Sequence, residues 1–336
     1  DPRDARPSEE VAFRPNAGPL LVILGAGAPY DCVDGNTSFF DSRYRPPLVN
    51  DLFRHNDPFD AILNKYIGAR SRADQIRSQL SQNVPLEDLL RQMESVENVS
   101  LKRTVWQVPL YLQELLGEIG ERYVVAGSTK FETMIAAIME LSWFSEVMIL
   151  SVNYDLFVER ALIPLMGKFF RTPADYIWSC HDQKWWLIKL HGSVNWGRRL
   201  IPTSRENSWR SIVPLLPDLV LEDDITILAG HNDDQRFHNG EFHYPALALP
   251  VAGKTKFVCP QEHLNEARRF VTRASNVLVI GFSGLDKHVL DDLITPMRSV
   301  ERLRVVCGTQ VEGDKTWDRL CRANPKLDIS NSVFAG

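Results

Sequence analysis

Residues able to do chemistry gather in four short polar stretches: Gly25-Ala26-Gly27-Ala28-Pro29-Tyr30-Asp31, Ser151-Val152-Asn153-Tyr154-Asp155, Leu190-His191-Gly192-Ser193-Val194-Asn195-Trp196 and Gly281-Phe282-Ser283-Gly284-Leu285-Asp286. In the first, small residues let backbone approach a diphosphate, and their N–H groups can cradle it. The alternative is a tight turn that needs small residues. A third glycine of the ordinary dinucleotide fingerprint would fall at position 30, which is Tyr30, and no acidic residue stands convincingly at the usual ribose position. In the second, Asn153 and Asp155 share one side of an extended chain by period two. Both can meet ribose hydroxyls or orient a water; equally, Asp155 can cap the helix that follows. In the third, His191 carries an imidazole, which unperturbed titrates near ~6.5 and suits general-base work. A hydrogen-bonded structural histidine is the plainer reading. In the fourth, Ser283 can donate to a phosphate or hydroxyl, and Asp286 sits where a carboxylate favours a helix start.

Each stretch follows a predicted strand. LLVIL (20–24), VMILSVN (147–153), WWLIKLHGS (185–193) and NVLVIGFSG (276–284) are apolar runs ending in polar residues, and RLRVVCG (302–308) is another. Between them, helical spacing marks 156–165, 261–275, 285–297 and 314–322. Alternating strands and helices with wholly apolar strands imply an α/β fold: a Rossmann-like parallel sheet with helices on both faces. Ligands in such sheets bind beyond the strands' C-terminal ends, so four polar strand ends predict one site built from distant segments. Residues 1–19 form a loose lead-in, and a single domain runs over 20–330. A helical insertion interrupts it at about 60–145, where Leu86, Leu89, Leu90 and Met93, then Leu112, Leu115, Leu116 and Ile119, then Phe131, Ile135, Ile138, Met139 and Leu141 fall at helical spacing, with Pro85 at a first turn. Residues 28–60, with Phe39 and Phe40, are a long functional loop with short helix at 47–53. Residues 194–255 are irregular except for a strand at 225–230.

The totals exclude several classes. With 336 residues, 44% hydrophobic and 24% charged, the chain can build a real core. A net charge of -5 argues against sequence-independent nucleic-acid binding. No apolar run reaches the ~20 residues of a membrane span. Five widely spaced cysteines, Cys32, Cys180, Cys259, Cys307 and Cys321, predict neither a disulfide framework nor a zinc site, and point to a reducing, cytoplasmic home. The first residues lack Met and a signal-peptide pattern and read as a cut or processed start. The histidines other than His191 lack a strand-end setting. His181, His231, His238 and His243 match no zinc spacing and read as surface or loop residues.

In this order the four segments resemble the sirtuin-like NAD-binding family, with its Gly-Ala-Gly phosphate loop, Asn-x-Asp strand end, His-Gly catalytic turn and later Gly-x-Ser. RPPLVNDLF (45–53), the helical block and LHGSVNW (190–196) are similar to a bacterial branch of antiviral-defence NADases. Two departures stand out. Only Cys259 lies between positions 193 and 281, so the four-cysteine zinc ribbon of the deacylases is absent. Pro29 stands where the family often has serine. The resemblance implies NAD as substrate, cleaved to ADP-ribose and nicotinamide, with no metal expected. It implies Asn153 placing the ribose or attacking water, His191 as base and Asp155 as orienter. Gly25, Ala26, Gly27, Ala28, Ser193, Gly281, Ser283 and Asp286 would contact the dinucleotide. It also implies a homo-oligomer working beside a sensor or partner protein in a defence system, without membrane or direct nucleic-acid binding. A zinc-free deacylase or ADP-ribosyltransferase, or a non-catalytic NAD-sensing module, are the rival expectations.

Overall fold

The computed structural model describes residues 18–30, 32, 41–82, 84, 86–95, 98–124, 129–141, 143–180, 183–201, 208–249, 257–329 and 333–335. Asp31, Phe39, Phe40, Pro85, His181 and all of the expected lead-in but Gly18 and Pro19 lie outside the described residues.

Leu20–Leu24 (β1) is five apolar residues, all buried. Such a run is what a strand covered on both faces requires. Leu21 and Ile23 join one core, and Leu20, Val22 and Leu24 join another on the opposite face. The other described strands are Glu146–Ser151 (β2), Ile177–Cys180 (β3), Gln183–Lys189 (β4), Gly192–Ile201 (β5), Val220–Ile227 (β6), Phe237–His238 (β7), Glu241–Leu247 (β8), Asn276–Ile280 (β9), Arg302–Cys307 (β10) and Val333–Ala335 (β11). The main sheet runs β11-β10-β9-β1-β2-β4-β3. Its neighbours are parallel except β3, which joins β4 antiparallel at the edge. Leaving out β3, the order is that of a doubly wound α/β sheet: the chain builds outward from β1 to one side, then returns to build from β9 on the other. Helix Gln261–Val271 packs on one face, and helices Lys130–Leu141 and Phe157–Met166 on the other. The expected parallel, doubly covered architecture is what the chain adopts.

A third core lies apart from that sheet. Helices Asp57–Leu63, Ile67–Ser81, Leu86–Ser95, Val99–Val105 and Val108–Val124 bury Phe59, Ile76, Leu90, Val105 and Tyr111 with Leu200, Phe242 and Tyr244 of the strands β5 and β8. Those strands belong to a four-stranded sheet in the order β6-β5-β8-β7, joined by antiparallel pairs. Its presence corrects the expectation that 194–255 is irregular. Two features hid it. Pro245 lies inside β8, opposite Gly197 of β5, and proline demotes a strand read from sequence. β5 also carries a bulge between Arg198 and Leu200, which breaks its period-two pattern.

The expected helix over 285–297 is one α-turn, Lys287–Val289, followed by a π-turn, Leu290–Ile294. The Thr295 N–H reaches back five residues to the Leu290 carbonyl at 2.9 Å. Helical spacing alone does not separate the two ladders.

Candidate active site

Strands β9, β1, β2 and β4 are consecutive neighbours and all parallel, so their C-terminal ends share one edge, roughly 14 Å across at ~4.8 Å per strand. The four polar stretches leave from those ends. The switch point of the winding lies between β1 and β9.

There the first and fourth stretches touch backbone to backbone. The Gly25 N–H donates to the Ile280 carbonyl and the Gly27 N–H to the Gly281 carbonyl, each at 3.0 Å. Ala28 N–H turns back onto the Gly25 carbonyl at 2.9 Å. A Cβ at Gly25 would stand 2.4 Å from the Phe282 Cα, and one at Gly281, whose φ is +60°, would stand 2.1 Å from the Ala28 nitrogen. The glycines are therefore required by the close approach of the two turns, and three of the amides expected to face a diphosphate donate within the protein. Ala26 is half-buried and Gly27 exposed on the outer side of the turn.

The second stretch locks onto the first. Asn153, 7% exposed, donates its Nδ2 amide to the Gly25 carbonyl at 2.9 Å, and its backbone N–H goes to Ser151 Oγ at 3.1 Å. Asp155 accepts the Phe157 N–H at 3.1 Å, a turn just ahead of the helix; the N-cap position expected for it is taken by Leu156. Burial pushes its carboxyl above the ordinary range, although the Lys189 ammonium pulls the other way.

In the third stretch, His191 Nε2 lies 2.9 Å from Asp286 Oδ2, joining it to the fourth. The Tyr154 ring packs 6.3 Å from the imidazole, centroid to centroid. Asp286 also accepts the His288 and Val289 N–H groups on Oδ1, at 2.9 and 3.0 Å. Burial alone would raise its carboxyl; the bond to His191 and the two amides outweigh it and hold the group below the usual carboxylate range. Ser283 is exposed, and its carbonyl accepts from Arg319 at 2.7 Å. Ser193 is fully buried, and its hydroxyl meets Lys189 Nζ at 2.9 Å and the Tyr154 carbonyl at 3.3 Å. The structure thus brings Asn153, His191, Asp286 and the glycine turns together, and turns the Ser193 hydroxyl into the core beneath them.

Sequence reasoning missed that buried layer. Lys189, 1% exposed, donates to Glu159 Oε1 at 2.9 Å, to Ser193 and to the Asp155 carbonyl. Tyr176 donates to the same Glu159 oxygen at 3.3 Å and accepts from Trp196 Nε1 at 3.2 Å. A lysine inside the apolar run WWLIKL was the available signal, since an ammonium in a strand covered on both faces must find a partner.

The remaining histidines divide. His231, His243 and His263 are buried, which corrects the surface-or-loop assignment of His231 and His243: the unforeseen small sheet and the helices around it enclose them. The His263 ring bonds the Pro173 carbonyl at 2.8 Å and packs beside the Tyr176 and Trp196 rings. Ligand atoms of Glu118, Glu121 and His231 lie within 4.8 Å of one another, a grouping that could take a cation, though Glu118 already pairs with Arg122 at 2.5 Å. None of the five cysteines is joined in a disulfide, and no helix among the described residues is long and apolar enough to cross a membrane.

A family model for a SIR2-like domain matches residues 147–302. No curated protein matches the chain. Among solved structures, a triple mutant of a Sir2 homologue bound to 2′-O-acetyl ADP ribose is 14% identical, with a TM-score of 0.39 over 93% of this chain and 94% of that one. A Sir2 homologue in complex with NAD is 14% identical, with a TM-score of 0.36 over 92% and 91%.

Proposed function

We propose that the chain binds NAD at the shared edge of β9, β1, β2 and β4 and hydrolyses its nicotinamide–ribose bond. The observation that carries this reading is the convergence of all four polar stretches: Asn153 is bonded to the Gly25 turn, that turn to Gly281, and His191 to Asp286. The SIR2-like match, which includes Asn153, His191 and Gly281–Asp286, supports the same ligand. In the reaction the ribose C1′–nicotinamide nitrogen bond breaks, and nicotinamide leaves neutral with the bonding pair. A water oxygen bonds C1′, and its proton passes to His191. Asn153 places the ribose or the water, and Asp155 holds the Asn153 turn. Ala26 and Gly27 border the diphosphate, with Gly25, Ala28 and Gly281 shaping the floor, Ser283 at the rim and Ser193 bracing from below. Most of the acceleration in such a site comes from fixed orientation and from dipoles set against the developing cation.

The proposal extends to a defence effector that depletes NAD, working as a homo-oligomer beside a sensor protein. The test is a product assay on NAD alone, with the assembled protein and its Asn153→Ala and His191→Ala variants. Nicotinamide and free ADP-ribose should appear with the parent and vanish with both variants, each of which should still melt in one cooperative transition, Asn153→Ala a few degrees lower for the loss of its bond to Gly25. Release that requires an acyl-lysine or protein acceptor would make the chain a transferase or deacylase. Saturable binding without release would make it an NAD-sensing module.

A further inference from the structure

We propose that Asp286 is a positioning residue for His191 and not a contact to the dinucleotide; this rests on the hydrolase reading above. The two oxygens of its carboxylate are divided between two tasks. Oδ1 takes both backbone N–H groups of His288 and Val289, which fixes the plane of the group. Oδ2 is left for His191 Nε2 at 2.9 Å. An ionised carboxylate only accepts hydrogen bonds, so Nε2 must be the ring atom that carries the proton. That leaves Nδ1 as the basic nitrogen, and among the described residues Nδ1 makes no hydrogen bond. The pair selects a tautomer, holds the ring's direction and places a negative charge behind the imidazolium that forms when Nδ1 takes the proton of the attacking water. The Tyr154 ring is the imidazole's aromatic neighbour, tilted 37° to it. Asp286 reaches His191 from the far side of the switch point, so the β9 turn tunes a base that β4 carries. Nothing in the spacing of either motif prescribes that link.

A ligand contact and a positioning residue are separated by which kinetic constant moves. With Asp286→Ala, kcat for nicotinamide release should fall about 10- to 100-fold, part of the 10²–10⁴ that a placed general base supplies, while KM stays within about two-fold. Asp286→Asn keeps an acceptor for Nε2–H without the charge and should fall between Asp286→Ala and the parent. A rise in KM with kcat unchanged would make Asp286 a dinucleotide contact, and faster turnover would make it a latch; either overturns the proposal. A second readout needs no turnover: ring ¹⁵N shifts of His191 should report the Nε2–H tautomer in the parent and a mixture in Asp286→Ala. Unchanged tautomer populations would overturn the proposal even if the parent consumed no NAD, an outcome that by itself counts only against the hydrolase reading.

Discussion

Replacing Lys189 by methionine should cost the protein more stability than most single changes, and a second substitution should restore it. The ammonium is 1% exposed and lies 2.9 Å from Glu159 Oε1. Methionine fills a similar volume, so the change removes charge more than it opens a cavity. It leaves Glu159, itself 5% exposed, with the Tyr176 hydroxyl at 3.3 Å as its one remaining side-chain partner among the described residues. Breaking a buried pair on one side costs about 3–5 kcal/mol, a large share of the roughly 5–15 kcal/mol that holds a domain together. At an unfolding entropy of about 2.1 cal/mol/K per residue, a chain of 336 residues should lose about 4–7 °C of melting temperature. The double variant Lys189→Met with Glu159→Leu removes both charges. Ser193 keeps the Tyr154 carbonyl, and Tyr176 keeps the Trp196 N–H, so more than half of the loss should return. Thermal melting of parent, single and double variants at one protein concentration reads all of this. A single variant melting within about 1 °C of the parent, or a double variant no better than the single, would refute the claim that an uncompensated charge is what the fold cannot bear.

The other expectations are narrower. Gly281→Ala sets a side chain at φ +60° and 2.1 Å from the Ala28 nitrogen; it should separate the β1 and β9 turns and abolish NAD binding, read by calorimetry, whereas Gly240→Ala, also at positive φ but with open space around its Cβ, should keep it. Burial holds His231, His243 and His263 below the ordinary imidazole range. The unfolded chain protonates these rings below about 6.5, so stability should be complete above that pH and drain away as pH falls toward the lower folded values; urea midpoints at successive pH values should show it, with His263→Gln flattening the slope. Burial pushes the Cys259 thiol up to about 12, so alkylation at pH 8 should spare it until the protein is unfolded, which peptide mapping would reveal.

How much was legible in the sequence follows from which interactions are local. The strands β1, β2, β4 and β9 announce themselves because a strand buried on both faces is mostly apolar, and their polar ends announce a site because a polar group inside must find a partner, as Lys189 does in Glu159. The small sheet is silent by the same logic: Pro245 and the bulge after Arg198 break the pattern that a window of residues can report, and it is pairing with the distant neighbours β6 and β8 that satisfies the β5 backbone. The site shows the division within single motifs. That Gly25 and Gly281 must lack side chains is readable; that each is needed by the other, and not by a ligand alone, is a fact of two turns 256 positions apart meeting at the switch point. Asp286 was readable as a helix-start acid, and it does cap that helix. Its second oxygen is what sequence could not place, because whether it faces solvent, ribose or His191 depends on β9 and β4 standing on the same edge three strands apart. A motif specifies which atoms are available; the order of strands decides which of them meet, and here that order joins an acid on one half of the doubly wound sheet to a base on the other.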